Sequence, residues 1–347
     1  MSSAPTIKDV AREVGVHFTT VSMALRGHPR IPVETRERIV QVANRLGYRR
    51  NPAYTALSQR RSKTVAIFQT PRIAYLTNRS EDNGLFDTAH HRRFVEGAKN
   101  QAEAMGYHFE LLSLDAGAHT RQTLQETLRR ERIGGVILGA FEPGREDPVL
   151  AWEELCAVKI DSLHVSPALP YVANDQFHAV RLAVQRLREL GYGRIGLAIG
   201  VQDEEGSDDQ HLCALLHEQR LMEATARVPA LLFPHGATRR EACPLLLDWI
   251  KAERIDAVIS NWTSIRGLVE QLGFDCPGQV ACASICLSRR DPRIAGVVAS
   301  LALVGARAAA SLAELMRADR RGIPVRATRT LVKGTWLDGN SAPPKVR

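Results

Sequence analysis

The sequence predicts a small all-α head joined to a larger α/β body, and three observations support this division. The excess positive charge is confined to the start of the chain, where residues 1–63 hold 12 Lys and Arg against 4 Asp and Glu; the rest of the 347 residues carries as many acidic as basic side chains. Apolar residues within 6–47 recur at helical spacing. From about residue 72, strand-like apolar runs alternate with helical segments, over a length that suits two or three domains.

The head is predicted to be a helix-turn-helix with a third, supporting helix. The first helix follows the capping residue Thr6 and ends at Gly15, a short second helix is expected over 18–26, and a third over 33–46. The second helix should bury the stripe formed by Val21, Ala24 and Leu25. Its opposite side then carries Phe18, Thr19, Ser22 and Met23. A basic helix-turn-helix is typical of a domain that places its second helix in the major groove of DNA.

The body is predicted to consist of parallel sheets with helices on both faces, because its strands alternate with helices. Strands are expected over 72–77, 109–114, 135–138, 160–165, 172–174, 195–199, 230–233, 257–260 and 280–285. Helices are expected over 91–105, 120–130, 178–190, 214–226, 240–251 and 265–272. These are too many strands for one compact core, so the body is expected to form two lobes.

Several protein classes are excluded by features that the sequence lacks. No apolar stretch approaches the ~18–20 residues of a membrane span, and the first residues lack the basic and apolar regions of a secretion signal, so a cytoplasmic protein with no membrane partner is expected. The six cysteines include no CxxC pair. The GxGxxG run at 191–196 follows a predicted helix, whereas a dinucleotide site requires a preceding strand. No cofactor, no metal site and no enzymatic activity are therefore predicted.

The head also carries a specific sequence. The runs DVAREVGVHFTTVSMALRG and TRERIVQVANRLGYRRNPAYTAL, within residues 6–57, closely resemble the head of the LacI/GalR (lactose-repressor) family of transcriptional regulators. The resemblance implies a DNA-binding domain over 1–50, then a hinge helix and linker over 51–71. In the family the hinge helix orders on operator DNA, and two of them pair in the minor groove. Leu57 stands in place of the leucine that wedges into the central base step; without the resemblance it would be an ordinary linker hydrophobe.

Three head residues depart from the family pattern. His17 stands where the family usually has a serine that caps the second helix, Met23 where a polar base-reading residue is common, and Tyr54 where the hinge helix has a small residue. A methionine can touch a thymine methyl group but makes no bidentate contact to guanine. The residues expected at the DNA are Thr6, His17, Phe18, Thr19, Thr20, Ser22, Met23, Arg26, Arg30, Asn51, Tyr54 and Leu57. Phosphate contacts are expected mostly from Arg12, Arg26, Arg30, Arg36, Arg49 and Arg50.

The body resembles the same family more loosely, at residues 173–196, 305–324 and 331–339. The resemblance implies a periplasmic-binding-protein-like fold of two doubly wound parallel-sheet lobes, and the chain would cross between them near His164, Ser288 and Arg326. The effector-binding and dimerisation body would then span 72–340. Its first lobe would comprise about 72–164 and 289–325, its second about 165–288 and 326–340, with a tail over 341–347.

A small-molecule effector is expected between the lobes, where the strands of such sheets end. Its candidate contacts are Asn78, Phe141, Asn261 and Trp262. Aromatic faces combined with amide groups suit a sugar-like ligand, while Phe141 and Trp262 are equally well explained as core residues of the lobes. The arginine–glycine pair that the family usually has in the second lobe is absent, and Asp209 and His211 are its candidate substitutes.

The predicted function is that of a sequence-specific DNA-binding transcriptional regulator, a repressor that responds to a carbohydrate effector. One helix-turn-helix reads only a half-site, so a homodimer on near-palindromic double-stranded operator DNA is expected, with dimer contacts from 91–105 and about 265–274. Two other classes are considered. A periplasmic solute-binding protein would need a secretion signal and no helix-turn-helix, and an enzyme with a DNA-binding head would need a nucleophile, base or metal cluster.

Overall fold

The computed structural model describes residues 6–25, 31–46, 70–78, 88–114, 121–139, 141, 148–161 and 165–345. The chain divides into two compact units, Met1–Arg72 with Ala102–His108, and Ile73–Gln101 with Phe109–Arg347. The predicted hinge helix lies outside the described residues. The same holds for seven of the residues expected at the DNA: Arg26, Arg30, Arg49, Arg50, Asn51, Tyr54 and Leu57.

The head contains helices α1 (Ile7–Val14), α2 (Phe18–Ala24) and α3 (Val33–Arg45). α1 begins where the sequence predicts, because Thr6 and Asp9 form a capping box: the Asp9 N–H donates to Thr6 Oγ1 (3.4 Å) and the Thr6 N–H to Asp9 Oδ2 (2.8 Å). Hydrogen bonds from the Thr6 hydroxyl and N–H hold the pKa of Asp9 below its ordinary value. Gly15 ends α1 in the left-handed conformation, with φ of 77°.

The head core is built from small and branched side chains of all three helices. Its buried members are Val10, Ala11, Val21, Ala24, Ile31, Ile39 and Ala43. Met23 is half-buried and packs against this core, so the prediction that it lies on the opposite side of α2 is wrong. A long, flexible thioether near the end of a short helix reaches the core from its edge. Phe18 and Thr19 are left as the exposed side chains at the start of α2.

The body contains two six-stranded sheets. The strands of the first are β1 (Arg72–Thr77), β2 (His108–Ser113), β3 (Ile133–Leu138), β4 (Cys156–Ile160), β5 (Tyr171–Asn174) and β11 (Arg329–Val332). Those of the second are β6 (Ile195–Gly200), β7 (Leu231–Phe233), β8 (Ala257–Ser260), β9 (Ala281–Leu287), β10 (Ala295–Val298) and β12 (Thr335–Leu337). The helices are α4 (Thr88–Ala104), α5 (Arg121–Arg130), α6 (Gln176–Glu189), α7 (Val201–Ser207), α8 (Gln210–Gln219), α9 (Arg239–Glu253), α10 (Ile265–Gln271) and α11 (Leu301–Arg317).

Both sheets have the same doubly wound order, β2-β1-β3-β4-β5-β11 and β7-β6-β8-β9-β10-β12. β3, β4, β5 and β11 pair in parallel, as do β6 to β10, while β12 is an antiparallel edge strand. In the second lobe, α6 and α8 bury one apolar cluster against the sheet, and α9 and α10 bury another. The predicted fold class, a helix-turn-helix head with a body of two doubly wound lobes, is therefore confirmed.

The chain crosses between the sheets later than predicted. β5 pairs with β4, and β11 pairs with β5, so both belong to the first sheet, whereas β10 belongs to the second; the predicted boundaries assign each of them to the other lobe. The crossings follow Asn174, Val298 and Val332. The predicted positions near His164, Ser288 and Arg326 are wrong. The physical reason is that sheet membership depends on long-range strand pairing, which hydrophobic periodicity does not report.

Candidate functional site

His17 caps the second helix of the head, in the place where a hydroxyl is usual. Its backbone carbonyl accepts hydrogen bonds from the N–H groups of Thr20 (2.9 Å) and Val21 (3.3 Å). Its Nδ1 accepts from the Thr19 N–H (3.5 Å) and lies 2.8 Å from Thr19 Oγ1. The Phe18 ring packs against the imidazole, with centroids 4.3 Å apart. An imidazole thus performs the capping that a serine side chain would otherwise perform.

The head residues that the sequence assigns to DNA do not all lie on the surface. Phe18 (43% exposed) and Thr19 are exposed, whereas Thr20 and Ser22 are half-buried. Thr6 is exposed, but its hydroxyl donates to Asp9 Oδ2 (2.6 Å). The side chain of Arg12 is 80% exposed. The half-buried Arg36 donates from Nη2 to the carbonyl oxygen of Ile31 (3.1 Å), which also gives it a role inside the head.

In the first lobe, the candidate effector contacts are buried. Asn78 follows the carboxyl end of β1 and is 4% exposed. Phe141, beyond the end of β3, is 1% exposed and packs in the hydrophobic cluster that also contains Leu138 and Val165. Of the two alternatives for Phe141, the structure supports a core residue and not an effector contact.

In the second lobe, Asn261 and Trp262 directly follow β8. The Trp262 ring stacks on Phe233, with centroids 4.6 Å apart and planes 11° from parallel, and the backbone N–H of Trp262 donates to Ser260 Oγ (3.1 Å). Trp262 is 9% exposed and belongs to the lobe core, so the core alternative accounts for most of its surface. Asn261 differs, because its Oδ1 is buried and accepts no hydrogen bond from the described residues.

His211 is part of a buried polar cluster. Its Nδ1 lies 2.7 Å from Glu204 Oε1 and 3.1 Å from Ser207 Oγ, while Glu204 Oε2 accepts the Leu212 N–H at 3.2 Å. The His211 and Glu204 side chains are each 4% exposed. Asp209, by contrast, is exposed at the start of α8, with φ of 56°. The structure therefore does not bring Asp209 and His211 together as one effector-binding pair.

Three buried amide side chains lack hydrogen-bond partners within the described part of the chain. They are Asn174 (both side-chain atoms), Gln202 (Oε1) and Asn261 (Oδ1). Each follows or ends a strand of a parallel sheet at its carboxyl end: β5, β6 and β8. Such unpaired groups are rare in folded proteins, and they occur where a ligand or water completes the site. Asn174 and Gln202 were missed by sequence reasoning; a polar residue at the carboxyl end of a buried strand, or within two positions of it, is the signal that could have found them.

An ion pair joins elements of the two lobes. The Nη2 atom of Arg329, on β11, lies 3.3 Å from Oδ2 of Asp208, which follows α7. The Arg329 guanidinium also lies over the Tyr171 ring, 5.7 Å from its centroid. Burial raises the pKa of Tyr171. Because the Arg329 and Asp208 side chains are 42% and 69% exposed, the pair contributes little to stability.

Two further features are absent from the described residues. They contain no group of three or more His, Cys, Asp or Glu side chains placed to hold a metal ion. None of the described helices is long and apolar enough to cross a membrane.

Two family patterns match the chain. The pattern described as bacterial regulatory proteins of the lacI family matches residues 6–51. The pattern described as periplasmic binding proteins and sugar binding domain of LacI family matches residues 82–224.

Curated relatives match over part of the chain. The NTD biosynthesis operon regulator NtdR of Bacillus subtilis is 28% identical over 194 residues, which is 55% of this chain and 54% of that protein. The transcriptional regulator CelR of Thermobifida fusca is 29% identical over 212 residues, 57% and 56% of the two chains. The matched region thus spans about half the length of these relatives.

Solved structures match over nearly the whole chain. A CelR–cellobiose complex superposes with a TM-score of 0.58 at 20% identity, covering 97% of this chain and 99% of that one. A lac repressor dimer bound to operator and the anti-inducer ONPF superposes with a TM-score of 0.57 at 15% identity, covering 98% and 100%. At these identities the likeness establishes the fold. The two family patterns, which match residues 6–51 and 82–224, show that the chain belongs to the lacI family of bacterial regulatory proteins.

Proposed function

We propose that this chain is a sequence-specific DNA-binding transcriptional repressor whose operator affinity is controlled by a sugar-like effector bound between the two lobes. The observation that carries the proposal is the charge distribution on this fold. The whole excess of positive charge lies in the segment that contains the helix-turn-helix, with Phe18 and Thr19 exposed on its second helix, while the body is neutral. A basic DNA-binding domain joined to a neutral ligand-binding body is typical of a transcriptional regulator and not of a solute-binding protein.

The proposal includes the assembly and its location. One head reads one half-site, so the protein acts in the cytoplasm as a homodimer on near-palindromic double-stranded DNA. The predicted dimer contacts fall on α4 and on α10 with the residues that follow it. No cofactor and no catalytic step are part of the proposal.

The DNA-binding part is tested by selecting operators from random duplexes and measuring affinity against salt concentration. We expect Arg12→Ala to weaken binding to all sequences alike and to reduce the slope of log affinity against log salt by about one, because one phosphate contact is lost. Arg130→Ala is the matched control. Its side chain is similarly exposed (72%, against 80% for Arg12), but it lies in the body, so affinity and slope should not change. Equal effects of the two variants would contradict the proposed DNA-binding surface.

The effector part is supported by the unpaired amides. An unsatisfied buried acceptor costs stability in the free protein, and a ligand hydroxyl that donates to it recovers that cost on binding. A buried amide that follows a strand at the carboxyl end of a parallel sheet, here Asn261 after β8, is a polar group of the kind that fixes the orientation of a bound ligand. The CelR neighbour was solved with cellobiose, which supports starting the search with mono- and disaccharides.

We expect Asn261→Ala to leave the melting temperature of the free protein unchanged or slightly raised, because the substitution removes an unpaired buried acceptor. The same variant should bind the effector about tenfold more weakly, since one directed hydrogen bond is lost. A thermal-shift screen of a sugar panel identifies the effector, and titration calorimetry measures both affinities. Asn340→Ala, an exposed position in the second lobe, serves as control. Unchanged effector affinity in Asn261→Ala would remove this residue from the effector site.

A further inference from the structure

The hydrogen bonds of His17 determine which ring nitrogen carries a proton. The backbone N–H of Thr19 can only donate, and it points at His17 Nδ1 (3.5 Å). On this contact we assign the lone pair to Nδ1, which places the proton of the neutral imidazole on Nε2.

The tautomer of His17 in turn determines the orientation of the Thr19 hydroxyl. Thr19 Oγ1 lies 2.8 Å from the same Nδ1. Because Nδ1 carries no hydrogen, the contact requires the Thr19 hydroxyl to donate its only proton to His17. The packing of Phe18 against the imidazole, at 4.3 Å between centroids, holds the ring where both contacts are made. The lone pairs of the exposed Thr19 Oγ1 are then the only polar function that this side chain offers to a ligand.

We propose that Thr19 reads operator DNA only as a hydrogen-bond acceptor, and that His17 is the positioning residue that imposes this polarity. The inference rests on the proposed DNA-binding function. In the major groove the donors are the exocyclic amino groups, adenine N6 and cytosine N4, whereas guanine O6, thymine O4 and purine N7 are acceptors. A free threonine hydroxyl can satisfy either kind of group by rotating. Thr19 held by His17 recognises an amino group and rejects a carbonyl oxygen at the same place.

The test uses the full chain and the operator selected from random duplexes. Comparison with Thr19→Val, which keeps the shape but lacks the hydroxyl, identifies the base position that Thr19 reads. At that position the amino group of adenine or cytosine is deleted by using purine or 2-pyrimidinone as the base. We expect the wild-type protein to bind the amino-lacking duplex about tenfold more weakly and Thr19→Val to bind both duplexes equally.

The role of His17 is tested by two substitutions. His17→Ala frees the Thr19 hydroxyl to donate, so the preference for an amino base over a carbonyl base should fall from about tenfold to about twofold. His17→Asn restores an acceptor at the cap and should restore the preference. Because His17→Asn keeps the cap, loss of folding in His17→Ala does not decide the question. A purely structural role for His17 would change affinity for all operators and leave the base preference unchanged.

Three results would overturn the inference. If the wild-type protein tolerates deletion of the amino group but loses affinity when thymine is replaced by uracil, Thr19 contacts a methyl group and does not accept a hydrogen bond. If both His17 variants keep the wild-type preference for an amino base over a carbonyl base, or if both lose it, His17 does not impose the acceptor role on Thr19 by accepting a hydrogen bond from its hydroxyl. In either case selected operators still exist, and the proposed function stands. If no operator can be selected at all, the proposed function fails and the inference with it.

Discussion

Gly305→Ala is expected to destabilise the body by ~1–3 kcal/mol or more, although alanine normally favours a helix over glycine by up to ~1 kcal/mol. Gly305 lies on α11, and a Cβ atom there would lie 2.0 Å from the carbonyl oxygen of Phe94 and 2.8 Å from the amide nitrogen of Ala98. Both atoms belong to the backbone of α4, so no side-chain rotation relieves the clash. Urea unfolding followed by circular dichroism measures the loss.

Gly97 lies on α4, where the backbones of α4 and α11 approach each other closely. A Cβ atom on Gly97 of α4 would lie 1.9 Å from the carbonyl oxygen of Ala302 on α11, so Gly97→Ala should cost a similar amount. Gly193→Ala is the control, because the residue is exposed and the nearest atom to its added Cβ, Asp256 Oδ2, would lie 4.0 Å away. It should leave the free energy of unfolding unchanged or raise it by up to ~1 kcal/mol. If Gly305→Ala and Gly193→Ala change stability equally, α4 and α11 do not cross this closely.

Local signals in the sequence were sufficient to place α1 in the head. Thr6 with Asp9 three residues later, and Gly15 after the last apolar position, determine both ends of α1 through hydrogen bonds within the same turn. The cap of α2 was only half-predicted. The sequence shows that His17 replaces a serine. It does not show that the imidazole accepts a hydrogen bond from the Thr19 N–H, because that contact depends on the placement of the ring and on its packing against Phe18.

In the body, strand positions were more predictable than strand partners. β1 and β8 lie where the alternating pattern places them, at Arg72–Thr77 and Ala257–Ser260. The structure has β4 at Cys156–Ile160, whereas the sequence predicts this strand over 160–165. An apolar run indicates that its residues are buried, but it does not indicate where the pairing with β3 ends. The lobe to which β11 belongs is decided by its pairing with β5, more than 150 residues away, and no local pattern contains that information.

The candidate effector residues show the same limit. That a polar or aromatic residue follows a strand is visible in the sequence, and Asn261 is an example. Whether it faces a ligand or the core depends on partners from distant segments. Phe141 is enclosed by the first-lobe cluster, and Trp262 by Phe233. An unpaired amide such as that of Asn174 can be recognised only when every neighbouring group is placed.

His211→Ala is expected to destabilise the body by ~1–3 kcal/mol, because it leaves the buried Glu204 side chain without the imidazole that lies against it. Glu204 would keep only the Leu212 N–H, at Oε2, and its Oε1 would lose the imidazole that now lies 2.7 Å away. Glu204→Gln combined with His211→Ala should lose less stability than His211→Ala alone, since the buried group is then neutral. Urea unfolding without effector measures each loss of unfolding free energy.

The neighbouring pair of His235 and Glu205 provides a control with the same chemistry. His235 Nε2 lies 3.0 Å from Glu205 Oε1, but the two side chains are 56% and 55% exposed, against 4% for each partner of the buried pair. Solvent screens the exposed pair, so His235→Ala should cost less than ~1 kcal/mol. Burial alone distinguishes the two predictions. Equal losses in His211→Ala and His235→Ala would mean that His211 is open to solvent in the free protein, and it would then become a candidate effector contact again.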